Sequence, residues 1–203
     1  MRARRLTVVL LGLGLASTQA AAAPLETTGA TQCEVSGFSI DPDPKGTNVR
    51  SAPRADAPIV GHLAPRVRVT PVETTGVTFK ILGSKDGWLL IRDGSPPDGF
   101  MLDPANAEDG RGWVSGRLVG TTLAAISLRT APRWDASVVA SFAMPGSSPV
   151  SVVVSTVHGC RGKYAEVTGT PINGKTVRGW SYSPCSSQLT TCDPGYIVDE
   201  PRE

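Results

Sequence analysis

Four cysteines, Cys33, Cys160, Cys185 and Cys192, are the side chains best suited to covalent chemistry in this chain of 203 residues. An even number of thiols invites disulfides, and three pairings are open. Metal binding is the rival chemistry, with His158-Gly159-Cys160 as its best fragment. With only 2 histidines and no Cys-x-x-Cys, no metal or other cofactor is expected. Among the pairings we favour Cys160–Cys185, with Cys33–Cys192 as a clasp along the chain. The local pair Cys185–Cys192 is the competitor. Closing the loop from Cys160 to Cys185 would stabilise the fold by roughly 3–4 kcal/mol through the unfolded chain.

Other residue types point to binding rather than catalysis. Asp41-x-Asp43 begins like a calcium loop, but the glutamate required at the twelfth place is Ala52, so a turn is the better reading. Trp134 lies in a polar turn, where an indole serves either interdomain packing or a partner. Phe100, Met101 and Leu102 form an apolar run in a loop and pose the same choice. Arg50 and Arg129 recur, which fits structural ion pairs with carboxylates. His62 sits in an apolar strand, and His158 sits beside a cysteine. There is no Gly-x-Ser-x-Gly, paired-histidine metal motif or phosphate loop, so an enzyme is not expected.

The elements that would position these residues occur twice. Asn48-Val49-Arg50-Ser51-Ala52-Pro53 and Ser127-Leu128-Arg129-Thr130-Ala131-Pro132 are near copies. After each come a polar turn, a β-branched pair, a hairpin and an Arg-Gly-Trp. Asp86-Gly87 and Asn173-Gly174 are hairpin turn signals. Trp88, Trp113, Tyr164 and Trp180 recur at matched places, which predicts that they fill the two cores. Trp134 does not recur, because Ala55 holds its place. The 22 glycines and 17 prolines are spread throughout, and no stretch after residue 22 keeps a helical period. The prediction is an all-β fold.

The start reads as a cleaved signal peptide over 1–22. It has a basic Met1–Arg5, an apolar Leu6–Leu15, and Ala20 three residues before the cut. No later apolar run is long enough to span a bilayer, so no membrane insertion is expected after cleavage. The whole chain has 20 Lys+Arg and 18 Asp+Glu. Losing Arg2, Arg4 and Arg5 removes the basic excess, so nucleic acid is not an expected partner. The arm Pro24–Gln32 is expected to be mobile.

Asn-Val-Arg-Ser-Ala-Pro, the hairpin ending in Asp-Gly-Trp, and Arg-Gly-Trp-Val together resemble a bacterial SH3-like domain. The later Leu-Arg-Thr-Ala-Pro, Lys-Tyr-Ala-Glu-Val and Arg-Gly-Trp-Ser resemble another. The resemblance implies two tandem small SH3-like β-barrels, over 33–123 (with a 94–110 loop insertion) and 124–192, before a flexible tail at 193–203. It also implies a periplasmic or secreted binding module for peptidoglycan, a cell-wall peptide or a periplasmic protein partner. Asp41 and Asp43 would then meet a cationic ligand. The alternative is a structural or inhibitory interaction protein acting through a fixed surface around Trp134 and Phe100.

Overall fold

Turn chemistry sets the strand pattern. Asp86 and Gly87 both take positive φ, 51° and 79°, which makes the two-residue turn that suits the twist of a hairpin. Gly46 also takes positive φ, 81°. A Cβ there would run into the Leu63 carbonyl oxygen, so the loop after Asp41 requires glycine.

The computed structural model describes residues 23–95, 100–102, 110–123, 127–141, 154, 156–170, 175–189 and 192. Residues 1–22, expected to be a signal peptide, the Asn173-Gly174 turn and the tail 193–203 lie outside the described residues. The strands of the first half are β1 (Thr31–Ser39), β2 (Thr47–Arg50), β3 (Ile59–Leu63), β4 (Val67–Arg68), β5 (Thr74–Thr75), β6 (Thr78–Lys85), β7 (Trp88–Ser95), β8 (Phe100–Leu102), β9 (Arg111–Ser115) and β10 (Val119–Gly120). Those of the second half are β11 (Ser127–Arg129), β12 (Val138–Ser141), β13 (Thr156–Arg161), β14 (Tyr164–Gly169) and β15 (Val177–Tyr182). Among the described residues the only helical element is the 3₁₀ turn Gly116–Leu118.

The first sheet runs β10-β1-β6-β7-β9-β2-β3-β8 and the second β12-β11-β15-β14-β13, with β4 and β5 as a separate ribbon. The duplication is visible in these orders. The central run β3-β2-β9-β7-β6 matches β12-β11-β15-β14-β13, strand for strand. The first sheet adds β1 and β10 at one edge and β8 at the other. Neither sheet closes on itself, so the fold is all-β with open sheets. The apolar run Phe100–Leu102, expected in a loop, is an edge strand paired with β3 through Leu63↔Phe100.

Two separate cores were expected, and the structure has one. Val49, Ile81, Leu89, Ile91 and Val114 of the first half pack in the same cluster as Leu128, Val157, Ala165 and Val167 of the second. The halves meet where β13 crosses β6 and the 3₁₀ turn. The Cys160 N–H donates to Ser84 Oγ at 2.9 Å, and the Ser84 hydroxyl donates to the Cys160 carbonyl at 3.2 Å. Gly116 lies so close to β13 that a Cβ would overlap the Val157 carbonyl oxygen. Gln188 bonds both the N–H and the carbonyl of Gly76, at 2.7 and 2.8 Å.

The cysteines pair as Cys33–Cys160 and Cys185–Cys192. The favoured pairs Cys160–Cys185 and Cys33–Cys192 are therefore both wrong, and the local competitor Cys185–Cys192 is right. The physical reason is the junction itself. Cys33 of β1 lies beside the β13–β14 turn, where the Glu34 N–H donates to the Gly162 carbonyl at 2.7 Å. Cys33–Cys160 closes 127 residues, a loop worth about 5 kcal/mol in the chain-entropy treatment. Both pairs fit an oxidising compartment outside the cytoplasm. Among the described residues no helix is long and apolar enough to cross a membrane.

Candidate functional site

Both halves carry the same turn, built by the same bonds. Arg50 Nη1 donates to the Ala57 carbonyl at 2.8 Å, and Arg129 Nη1 to the Ala136 carbonyl at 2.9 Å. The Ser51 N–H reaches the Pro58 carbonyl and the Thr130 N–H the Ser137 carbonyl, each at 2.9 Å. Arg54 pairs with Asp56 at 3.3 Å, and Arg133 with Asp135 at 3.2 Å. The recurring Arg50 and Arg129 thus lock backbone turns, where carboxylate partners were expected. A single guanidinium N–H satisfies the turn carbonyl without desolvating a second charge.

The recurring aromatics divide. Trp113 is 0% exposed, whereas Trp88, Tyr164 and Trp180 are only half-buried. These three do not fill a core, contrary to expectation. In β9 and β15 the core-facing places belong to Gly112 and Gly179, each pressed on the strand beside it. A Cβ at Gly112 would strike Val49, and one at Gly179 would come within 2.9 Å of the Leu128 Cβ. A slot that narrow admits no indole, so Trp113 and Trp180 project to the other face.

What buries Trp113 is the arm. Its indole N–H donates to the Glu26 carbonyl at 2.8 Å, and the Glu26 N–H donates to the Ser51 carbonyl at 2.8 Å. The Glu26 carboxylate is gripped by Arg54 and Lys85, both at 3.1 Å, and Lys85 also donates to the Thr28 carbonyl at 3.0 Å. The hydrogen bond from Lys85 is the chief reason the Glu26 carboxyl titrates below its ordinary range. The arm expected to be mobile is a docked strap.

The second half presents the matched face without a described segment over it. Trp180 lies between Glu166 of β14 and Arg129 of β11 in register. Arg129 stands over the Trp134 ring, 4.0 Å from its centroid, a cation–π contact. Tyr164 and Tyr182 meet edge to face at 5.1 Å. Burial, then its Tyr182 neighbour, raises the Tyr164 phenol. Glu166 receives two 2.9 Å bonds from Arg178, which hold that guanidinium charged. The result is a half-buried aromatic surface crossed by arginines.

The remaining candidates lie elsewhere. Asp41 accepts from the Asp43 N–H and the Thr47 hydroxyl, both at 3.0 Å, and Asp43 accepts from the Lys45 N–H at 2.8 Å. These carboxylates shape their own loop and are remote in sequence and sheet from Trp134. Phe100 is on β8, at the edge of the first sheet. His62 is on β3 and His158 on β13, in different sheets. His158 shares a 2.7 Å bond with the Thr168 hydroxyl, and burial lowers its pKa first, helped by the Arg178 charge. Among the described residues no three His, Cys, Asp or Glu cluster as metal ligands, and Cys160 is spent in a disulfide. An open cleft of about 610 Å³ lies at the junction, lined by Glu34, Lys80, Lys163 and Pro184 among others.

Sequence reasoning missed Glu26, Lys85, Arg54 and Tyr182. Glu26 sits in a stretch with no pattern. The usable signal was the alignment of the two copies, in which Arg54 matches Arg133 and Lys85 matches Arg161. Comparison with protein-family models, curated proteins and solved structures finds no match to this chain.

Proposed function

We propose that the protein is a non-enzymatic, extracytoplasmic binding module of two tandem SH3-like units, whose ligand lies on the outer face of the second sheet. The ligand is a peptide chain, from the cell wall or from a partner protein. One observation carries this reading. Trp113 is covered by an extended segment of the chain, while its counterpart Trp180 is only half-buried, on the strand face it shares with Tyr164 and Tyr182 and paired with Arg129, which stands over Trp134. Indoles and phenols with one free edge bind extended chains well, because each buries a large area and keeps a polar tip. The matched strand orders support the tandem assignment. The disulfides support a site of action outside the cytoplasm.

Incubation with purified sacculi tests the choice of ligand. Retention of the native protein, lost in a Trp134→Ala/Trp180→Ala double variant, identifies the wall. No retention removes the wall and leaves the protein partner. Retention undiminished in the double variant would place the ligand off this face and overturn the assignment.

A further inference from the structure

We propose that the second sheet accepts an extended acidic segment of a partner protein, with Arg133 and Arg161 clamping its carboxylate and the Trp180 indole binding the backbone carbonyl of the same residue. This deepens the binding reading above and rests on it.

The first sheet supplies the template, because there the site is filled by the chain's own Glu26. Four groups fix that residue: the Trp113 indole N–H on its carbonyl, the Ser51 carbonyl on its N–H, and Arg54 and Lys85 on its carboxylate. Each has a counterpart in the second sheet. Trp180 matches Trp113, since each pairs with the turn-locking arginine of the neighbouring strand, Arg129 or Arg50. Thr130 matches Ser51, in a turn held by the same hydrogen bonds. Arg133 matches Arg54 and keeps the same tie to a turn aspartate.

Arg161 matches Lys85 by register. Lys85 pairs with Trp88, and Trp88 with Ser115, two residues beyond Trp113. Arg161 pairs with Tyr164, and Tyr164 with Tyr182, two residues beyond Trp180. Side chains two apart share a strand face, so Arg161 lies on the Trp180 face as Lys85 lies on the Trp113 face. Arg161 is exposed, and among the described residues it has no ion-pair partner. Both cations of the clamp are thus kept, and one becomes the residue better suited to a forked carboxylate contact.

Half of the template's contacts are to backbone N–H and C=O, which specifies a polypeptide. The other half specify a carboxylate. One place differs. Leu90, opposite Trp113 in the first sheet, is replaced by Glu166 opposite Trp180. The Arg178 pairing keeps that carboxylate occupied, so this end of the site favours polar residues in the partner.

The probe is the strap's own sequence, a synthetic Ala-Pro-Leu-Glu-Thr-Thr-Gly-Ala spanning residues 23–30, capped at both ends so that glutamate is its only carboxylate. It is titrated into the full, isotope-labelled chain, and the four indole N–H resonances are followed. The tethered strap outcompetes free peptide on the first sheet through its effective concentration, so the expected response is a saturable shift at Trp180 with Trp113 unmoved. Replacing the peptide's Glu by Gln, or making Arg133→Gln or Arg161→Gln, is expected to weaken binding roughly two- to fivefold each, and salt should weaken the native pair. Absence of a Trp180 shift, or equal affinity for the Gln peptide, overturns the clamp. If wall fragments move Trp180 and the acidic peptide does not, the clamp fails and the binding module stands. If neither moves it, both fail.

Discussion

The two sheets share five strands, a turn and an arginine lock, yet one tryptophan is sealed and the other only half-buried. The difference lies outside the repeat. A strap before β1 crosses the first sheet and donates Glu26 to Trp113, Arg54 and Lys85. The comparison teaches that the same repeated unit can have its tryptophan covered or left partly uncovered by the segment beside it, with cations kept at both matched positions.

The sharpest way to break that comparison is to remove each indole. Trp113→Ala should cost about 3–5 kcal/mol, because it empties a fully covered site. Trp180→Ala, at a half-buried indole, should cost less, about 1–2 kcal/mol. Urea unfolding of both variants checks this, and equal losses would mean that the two faces are equally buried. Next in size is the junction. Gly116→Ala forces a Cβ into the Val157 carbonyl and should cost about 1–3 kcal/mol. Faster amide exchange should then appear on both sides of the contact, since the halves share one core.

The turn locks should respond alike. Arg50→Ala and Arg129→Ala each remove one charged donor from a backbone carbonyl, for about 1–2 kcal/mol. Only the second should also alter Trp134 fluorescence, because Arg129 stands over that ring. The smallest effect concerns pH. The Glu26 carboxyl is held below its ordinary value of 4.5, first by Lys85. A depressed carboxyl gives stability that is present above the unfolded value and lost as pH falls through the folded one. Strap docking should therefore persist at neutral pH and loosen in acid below 4.5. Amide exchange at 25–30 reads this loosening, and Glu26→Gln should abolish its pH dependence.

Much of this was legible in the residues. The repeated Arg-x-Ala-Pro and Arg-Gly-Trp motifs showed the duplication, and Asp86-Gly87 gave its hairpin. The direction of the indoles was not legible. In Arg-Gly-Trp the tryptophan looks like the core residue, and only the close approach of Val49 to Gly112 shows that the glycine is. The strap was hidden because its anchoring depends on contacts with Arg54 and Lys85, far away in sequence. The shared core was hidden for a related reason. Alternation within a strand tells which side is apolar, but not that β13 lies against β6.

The Cys33–Cys160 bond also sets a timetable. Synthesis runs from the amino end, so the first thiol emerges 127 residues before its mate. Through that interval it stays reactive and open to capture by a thiol carrier. The halves gain this second covalent link only when the later hairpin is finished, and a nick between them afterwards would release neither piece until a reductant is added.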